Sequence, residues 1–188
     1  MALPKRIEQA MAKSPAIQMK SLADIVCEVG AYALEGFEFV RDGLTVASDK
    51  VHGPPSRAHR RVFEWMSKKQ LTLEALQELA DEGRLPAKLR EDVEKAGGIG
   101  ALNRHVTGQQ LCEALRDIAV ERWGLLAQAV LGHWGIYATR DFGEIVFALV
   151  NNEVLSKQPT DSIRDFDRVF DFDKAFAGAY RIELNRKP

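Results

Sequence analysis

The chain has 188 residues, of which 46% are apolar and 28% charged, and its formal net charge is −1. This length suits one soluble domain that buries a sizeable core without disulfides, and the balanced charge argues against a nonspecific binder of nucleic acid or anionic membrane. The longest apolar run, residues 145–150, is too short to cross a bilayer, and the first twenty residues lack the apolar core of a secretory signal. We therefore predict a cytoplasmic protein with no membrane contact.

The first predicted elements are three helices. Residues 4–13 form a short helix that ends at Ser14-Pro15. Ser21 caps a second helix that carries Leu22, Ile25 and Val26 on one side. A third helix follows Gly30 and runs to about residue 44, although the glycines at positions 36 and 43 within it weaken the helical pattern.

A basic stretch follows the break at residues 52–56. Its cations are Arg57, Arg60, Arg61, Lys68 and Lys69, and aromatic side chains at positions 63 and 65 lie between them. Such a cluster is a candidate nucleic-acid-binding surface. A solvated helix face is the preferred interpretation, because the acidic segment that comes next can neutralise it.

Residues 71–97 predict a helical hairpin. Thr72 caps its first helix, Gly83 ends it, and Pro86 begins the second helix. The apolar face is thin, and seven acidic residues stand against four basic ones. We expect this hairpin to be the main part of an insertion, residues 53–102, and to pack on the body of the domain.

Residues 105–155 predict three consecutive helices with short connections. Thr107 and Gln110 have the spacing of a capping box, and an apolar stripe follows them. Thr139 is expected to cap the third of these helices. Asp141 and Glu144 lie in its first turn, where negative charge stabilises a helix.

Four aspartates and three phenylalanines alternate in residues 165–173, DFDRVFDFD. An EF-hand loop that starts at Asp165 fails at its fifth, sixth and twelfth positions. The phenylalanines have helical spacing, and Asp171 is a natural helix cap. We expect a tail that is held on the core by its aromatic rings, with no metal.

Residues 180–184 alternate apolar and polar side chains, which is typical of a strand. Its partner strand could be residues 136–138, residues 44–46 or a second chain. The predicted fold is therefore mainly α-helical: one multi-helix domain, residues 1–188, with an inserted helical hairpin. The pattern leaves open a small two-stranded element near the C-terminus.

No pattern in the chain predicts a cofactor or a metal site. Cys27 and Cys112 fall in apolar helical patterns and are expected to be buried and reduced. The CxxC, HExxH and GxSxG motifs are absent. Asp141-Phe142-Gly143 spells the metal-binding tripeptide of protein kinases, but the chain is too short for a kinase and lacks its glycine-rich loop.

The polar residues around position 105 are the best candidate ligand site. A hydrogen-bonded histidine that fixes the entry to the helix is the default interpretation of His105. The alternative is an anion site formed by Arg104, His105 and the free N–H groups of the helix start. An enzyme would combine these two residues with Asp141 and Glu144.

Several stretches resemble a small bacterial family described as restricted to planctomycetes and verrucomicrobia. They are RHVTGQQL at 104–111, WGI at 134–136, DFGEIVF at 141–147, DFDKAF at 171–176 and, near the N-terminus, FEFV at 37–40. The resemblance covers most of residues 22–52 and 103–177, and residues 53–102 lie outside the family's pattern. Gln110 stands where the family usually has Glu, which preserves the capping box. The resemblance implies no activity.

Three functions remain open on the sequence. A non-enzymatic protein-interaction or regulatory module with an unknown protein partner is preferred, because capping and packing explain nearly every conspicuous polar residue. A helix-turn-helix-like nucleic-acid binder is the first alternative, although the helices at 108–155 have no basic recognition face. A small enzyme with its site near Arg104 and His105 is the second. The sequence allows a homo-oligomer in each case.

Overall fold

A computed structural model describes residues 20–177, and in that range 70% of the residues are helical and none lies in a strand. The α-helices are α1 Leu22–Val29, α2 Leu34–His52, α3 Arg57–Lys69, α4 Leu73–Asp81, α5 Ala87–Lys95, α6 Ile99–Leu102, α7 Gly108–Trp123, α8 Ala127–His133, α9 Thr139–Asn151 and α10 Phe172–Ala177. Two 3-10 turns, Gly124–Leu126 and Ile163–Phe166, complete the described chain. The predicted mainly α-helical class is confirmed.

The two-stranded element finds no support in the described residues. Residues 44–46 lie inside α2, so their assignment as a partner strand is wrong. Residues 136 and 137 have no regular secondary structure and pair with no strand in the described range. The predicted strand at 180–184 and the predicted helix at 4–13 lie outside the described residues.

Helix caps occur largely where the side-chain chemistry predicts them. The Ser21 hydroxyl accepts from Asp24 N at 3.2 Å, and the Thr72 hydroxyl accepts from Ala75 N at 3.3 Å. Thr107 and Gln110 form the predicted capping box, with distances of 3.3 and 3.0 Å for its two hydrogen bonds. These caps satisfy backbone N–H groups that a helix start leaves without a partner.

Thr139 is not a cap, which corrects the prediction for α9. The Asp141 carboxylate closes that helix start instead, and its Oδ2 accepts from Ala138 N at 2.8 Å. Thr139 is the first helical residue and is 1% exposed. Its hydroxyl donates to Phe166 O at 2.6 Å and accepts from Val169 N at 3.3 Å. Thr139 therefore joins α9 to the C-terminal tail.

The main core lies where α2 crosses α7 and where α9 packs on both helices. Gly43 of α2 stands directly against the Leu115 side chain of α7, and a Cβ atom there would overlap it. A residue that is unfavourable for helix propensity thus lets two helix backbones approach closely. The largest fully buried side chains of this core include Phe37, Ile25, Leu115, Leu131, Phe142 and Ile145.

Residues 53–102, for which we keep the name insertion, have a core of their own. Their buried side chains form a second cluster that consists of Ala58, Val62, Met66, Leu76, Leu85, Leu89, Val93, Ala96 and Leu102. The apolar face of the predicted hairpin therefore packs mainly on α3 and α6, and not on the body as we expected. Arg61 of α3 holds Asp92 of α5 with two hydrogen bonds, and the Asp92 side chain is 8% exposed.

The aspartates of the tail each have a specific partner within the chain. Asp165 accepts from Ser162 N at 2.8 Å and Asp171 accepts from Lys174 N at 3.0 Å, so both cap turns. Asp167 pairs with Arg140 at 2.7 Å, and Asp173 accepts from Gln128 at 2.7 Å. Between them, Phe166, Phe172 and Phe176 are buried in the main core.

The two cysteines differ in exposure. Cys112 is fully buried in α7, as its apolar neighbours predicted. Cys27 is exposed on α1, so its predicted burial is wrong. In the sequence IVCEV the helical period turns Ile25 into the core and Cys27 about 200° away from it, toward solvent.

Candidate functional site

A cleft of about 1010 Å³ separates the insertion from the main body. Its volume is at the upper end of the range for binding pockets, roughly 300–1,000 Å³. The main body lines it with side chains from α2, α7 and α9, and the insertion lines it from α3 and from the segment around the start of α4. The cleft is therefore where the two helical clusters face each other.

Apolar side chains from both clusters line the cleft. From the main body these are Leu44, Val106, Leu111, Val146, Phe147, Val150, Leu155 and Phe166, and from the insertion Phe63, Met66, Leu71, Leu73 and Leu102. Phe63, Val146, Phe147 and Val150 are only half-buried. Half-buried apolar side chains that gather around one concave surface are typical of binding sites.

Arg104 joins the two ends of the insertion, which we call its stem, at the edge of this cleft. Its Nη2 donates to Asp49 Oδ1 at 2.8 Å and to the carbonyl oxygen of Gly53 at 2.6 Å, and its side chain is only 12% exposed. Gly53 precedes the insertion's first helix and Arg104 follows its last one. One guanidinium therefore holds together the two ends of the insertion.

His105 reinforces the same stem. Its Nε2 lies 3.1 Å from Asp161 Oδ1, and its carbonyl oxygen accepts from His52 Nε2 at 2.7 Å. The cation of Arg104 faces Asp49, and the imidazole faces Asp161. Because a carboxylate already stands opposite each side chain, and because the Thr107 capping box uses N–H groups at the helix start, the geometry does not favour an anion here.

Asp141 and Glu144 both approach the Tyr32 hydroxyl, and neither lines the cleft. The Tyr32 oxygen lies 3.0 Å from Asp141 Oδ1 and 2.9 Å from Glu144 Oε2, so the two carboxylates compete for its one hydrogen. Burial, followed by the hydrogen bond to Glu144 and the charge of Asp141, raises the pKa of Tyr32 well above its ordinary value. Each pair is close in sequence, Arg104 beside His105 and Asp141 one helical turn before Glu144, but the structure does not unite the two pairs at the cleft.

The predicted basic surface on α3 is partly used within the insertion. Arg61 binds Asp92, and Lys68 pairs with Glu64 at 2.6 Å. Arg57, Arg60 and Lys69 are exposed. Two of the five cations therefore have a carboxylate partner, which reduces the positive charge that α3 presents to solvent.

The charged groups around the cleft carry an acidic excess. Asp49, Glu74, Asp161 and Asp165 line it, together with the cations Arg104 and Lys157. With neutral histidine this is four negative charges against two positive ones. Lys157 lies over the Phe147 ring, 5.3 Å from its centroid, so one of the two cations is drawn onto the apolar wall.

The buried polar side chains in the part of the chain that the structure describes, residues 20–177, are paired within the chain. Every buried side-chain nitrogen and oxygen between residues 20 and 177 has a hydrogen-bond partner, and no three His, Cys, Asp or Glu side chains there gather as metal ligands. In the same range no helix combines the length and the apolar content that crossing a bilayer requires.

Sequence reasoning missed the cleft. Leu44, Val146 and Val150 have the same helical spacing as core residues, so their pattern does not distinguish a cleft wall from a buried contact. The one available signal was the break at residues 52–56 combined with the glycine-rich segment 97–100, because a segment with its own start, end and apolar residues can fold as a separate unit.

A scan of protein-family models, a search of curated proteins and a search of solved structures each give no match to this chain. The resemblance to the planctomycete and verrucomicrobial family therefore stays a prediction.

Proposed function

We propose that the protein is a non-enzymatic binding module that accepts an amphipathic segment of a partner protein in the cleft between the insertion and the main body. The supporting observation is the lining of that cleft. Half-buried apolar side chains from both helical clusters face it, whereas Asp49, Arg104 and His105 are engaged with partners in the chain.

The shape and charge of the cleft favour a helix or short peptide over a small polar metabolite. Amphipathic helices bind by laying an apolar face into a groove, and they are recognised through anchors spaced three and four residues apart. The acidic excess at the cleft favours cationic side chains beside those anchors. We therefore expect the partner segment to carry apolar residues at helical spacing together with Lys or Arg.

The alternatives have less support. An enzyme at Arg104 and His105 needs a reactive group that is free to meet substrate, and both side chains contribute to the stem of the insertion. A nucleic-acid binder that uses α3 would act mainly through Arg57, Arg60 and Lys69, because Arg61 and Lys68 are paired with carboxylates.

Selection from a displayed library of random peptides tests the proposal. The full chain is the target, and the affinity of each selected peptide is measured by fluorescence anisotropy. We expect selected peptides to be cationic and amphipathic, because the cleft combines apolar walls with an acidic excess. Val150→Glu, which places a charge on the cleft wall, should weaken their binding at least tenfold.

Val46→Glu is the matched control for this experiment. Val46 lies on α2, is 44% exposed and does not line the cleft, so the same substitution there should leave peptide affinity within twofold of the wild type. Circular dichroism confirms that both variants are folded. If the two variants bind equally well, or if no peptide is selected, the proposed function is wrong.

A further inference from the structure

We infer that residues 1–19 of the same chain occupy the cleft when no partner is bound, so that a partner must displace them. This inference rests on the proposed function, because it assigns an internal competitor to the same site. It follows from the chemistry of those residues, from the charge and lining of the cleft, and from the distance that the segment has to span.

The sequence of residues 1–19 has the character that the cleft favours. Leu3, Ile7 and Met11 recur at intervals of four residues, the spacing that gathers apolar side chains on one face of a helix. The segment contains Lys5, Arg6 and Lys13 but only one acidic residue, at position 8, so its side chains carry two excess positive charges.

The cleft presents the complementary charge. Its four carboxylates outnumber its two cations by the same amount, and half-buried apolar side chains stand between them. Opposite net charges on the segment and the cleft steer their association and fix the orientation of the bound segment. The apolar contacts supply the larger part of the affinity. The same features that favour a cationic amphipathic partner therefore favour residues 1–19.

The described part of the chain begins on two helices that also line the cleft. α1 has eight residues, and it packs on both α2 and α9. Just beyond its end, the Tyr32 hydroxyl contacts Glu144 of α9, and other faces of α9 line the cleft with Val146, Phe147 and Val150. α1 is roughly 12 Å long, and if residues 3–11 dock as a helix, the eight residues that follow them still span roughly 26 Å when extended.

Covalent attachment makes a weak contact sufficient. The effective concentration of a tethered segment at its own site is on the order of millimolar. The segment therefore fills the cleft even if its intrinsic affinity is as weak as that of a weakly binding peptide. Residues 1–19 should therefore compete with a partner for the cleft. The apparent association constant of the partner equals its intrinsic value multiplied by the fraction of molecules whose cleft is empty.

Disulfide trapping tests the contact in the full chain. Cys27 is first replaced by serine because it is exposed, while the buried Cys112 is retained. Ile7→Cys is then combined with Val150→Cys in the cleft or, as a control, with Val46→Cys on the exposed face of α2. We expect the intramolecular disulfide, identified by peptide mass spectrometry, to form at least tenfold faster with position 150.

Two results would overturn the inference. Equal rates for positions 150 and 46 would mean that residues 1–19 meet the surface without preference. Disulfide-linked dimers at position 150, with little intramolecular product, would assign the cleft to a second copy of the chain.

A second variant separates this inference from the proposed function. Ile7→Asp combined with Met11→Asp removes the apolar anchors of the segment, and a selected peptide should then bind the full chain about tenfold tighter than it binds the wild type. Unchanged affinity, with the peptide still sensitive to Val150→Glu, would overturn the inference and leave the proposed function standing. If the disulfide at position 150 forms efficiently but no peptide is selected, the proposed function is overturned and the inference about residues 1–19 stands.

Discussion

The ring of Phe166 lies against the backbone of Gly143, so closely that a Cβ atom at Gly143 would stand 2.7 Å from the ring Cγ. Gly108, at the start of α7, faces the same ring, with a distance of 2.8 Å to Cε2. The glycines of α7 and α9 thus leave space for the ring of Phe166 from the tail. Each residue of the tripeptide Asp141-Phe142-Gly143 has a structural role: Asp141 caps α9, Phe142 is buried in the core, and Gly143 leaves space for the Phe166 ring.

Gly143→Ala should destabilise the protein. In a helix with free space this change usually adds about 0.5–1 kcal/mol of stability, because alanine restricts the unfolded chain. Here the added methyl group has no space, and overpacking of this kind costs about 1–3 kcal/mol. The free energy of unfolding, measured by urea denaturation, should fall accordingly.

Gly100→Ala is the control for that change. Gly100 lies in α6 and would have nothing within 4 Å of an added Cβ atom. We expect the free energy of unfolding to be unchanged or raised by up to about 1 kcal/mol. If the variant at position 143 is as stable as the variant at position 100, the tail does not pack as described.

The ion pair between Arg61 and Asp92 should make the insertion sensitive to acid. The hydrogen bonds from Arg61 hold the pKa of Asp92 below its ordinary value of 3.8. A carboxyl group with a lowered pKa in the folded state stabilises the fold above its unfolded pKa, and this contribution is lost as the pH falls through the folded pKa. The difference in Tm between wild type and Asp92→Asn should be several degrees from pH 5 to 8 and should shrink below about pH 4.

Asp81→Asn provides the comparison for this pH profile. Asp81 is exposed and accepts a hydrogen bond from the neutral Gln77 amide. Its replacement should change Tm little at any pH, as is usual for surface positions. A difference between Asp92→Asn and wild type that stays constant from pH 8 to pH 3 would contradict the described ion pair.

The two thiols should react at very different rates with a thiol reagent such as DTNB at pH 8. Cys27 is exposed, whereas Cys112 is fully buried, and burial, with a smaller effect of Glu113, raises the pKa of Cys112 to about 12. Because the thiolate is the reactive form, we expect one thiol to react in the folded protein and the second only after unfolding. Cys27→Ser should remove the fast reaction, and rapid modification of both thiols would contradict the burial of Cys112.

Arg104→Ala should loosen the stem of the insertion. The change removes hydrogen bonds to Asp49 and to Gly53 O from a side chain that is 12% exposed, and hydrogen bonds to charged groups of this kind contribute about 1.5–3 kcal/mol. Arg104→Lys should recover part of this loss, since an ammonium group keeps the charge but lacks the planar fork. Peptide binding should weaken in both variants, because the two walls of the cleft are no longer held together.

Arg41→Ala is the matched control. The Nε atom of Arg41 lies 3.8 Å from Oδ1 of its neighbour Asp42, and the Arg41 side chain is 49% exposed. Exposed pairs contribute roughly 0–1 kcal/mol, so urea denaturation should hardly distinguish this variant from wild type. Equal losses at positions 41 and 104 would show that Arg104 does not close the stem.

Local chemistry made much of the fold predictable. Ser21, Thr72 and Thr107 cap helices in the structure as their positions before apolar stripes predicted, since a short side-chain oxygen satisfies N–H groups two or three residues away. Asp171 follows the same logic at the start of α10. These interactions lie within a few residues in sequence, so the local pattern contains nearly all of the information.

Interactions between distant segments were not predictable in the same way. Asp92 looked like one more charge on an exposed face, because its partner Arg61 is 31 residues away and on another helix. Gly43 looked like a defect in α2 until Leu115 was found against it. Thr139 looked like a cap, but its hydroxyl binds the tail at Phe166. The cleft belongs to the same group, because helical spacing does not show which apolar face has a partner.

Two-dimensional NMR of the full chain, titrated with a peptide selected on it, tests the cleft as the binding site most directly. We predict that the largest chemical-shift changes fall on both walls, at Leu44, Phe147 and Val150 of the main body and at Phe63 and Met66 of the insertion. Changes centred on Tyr32, Asp141 and Glu144, or on the exposed cations of α3, with none in the cleft, would contradict it.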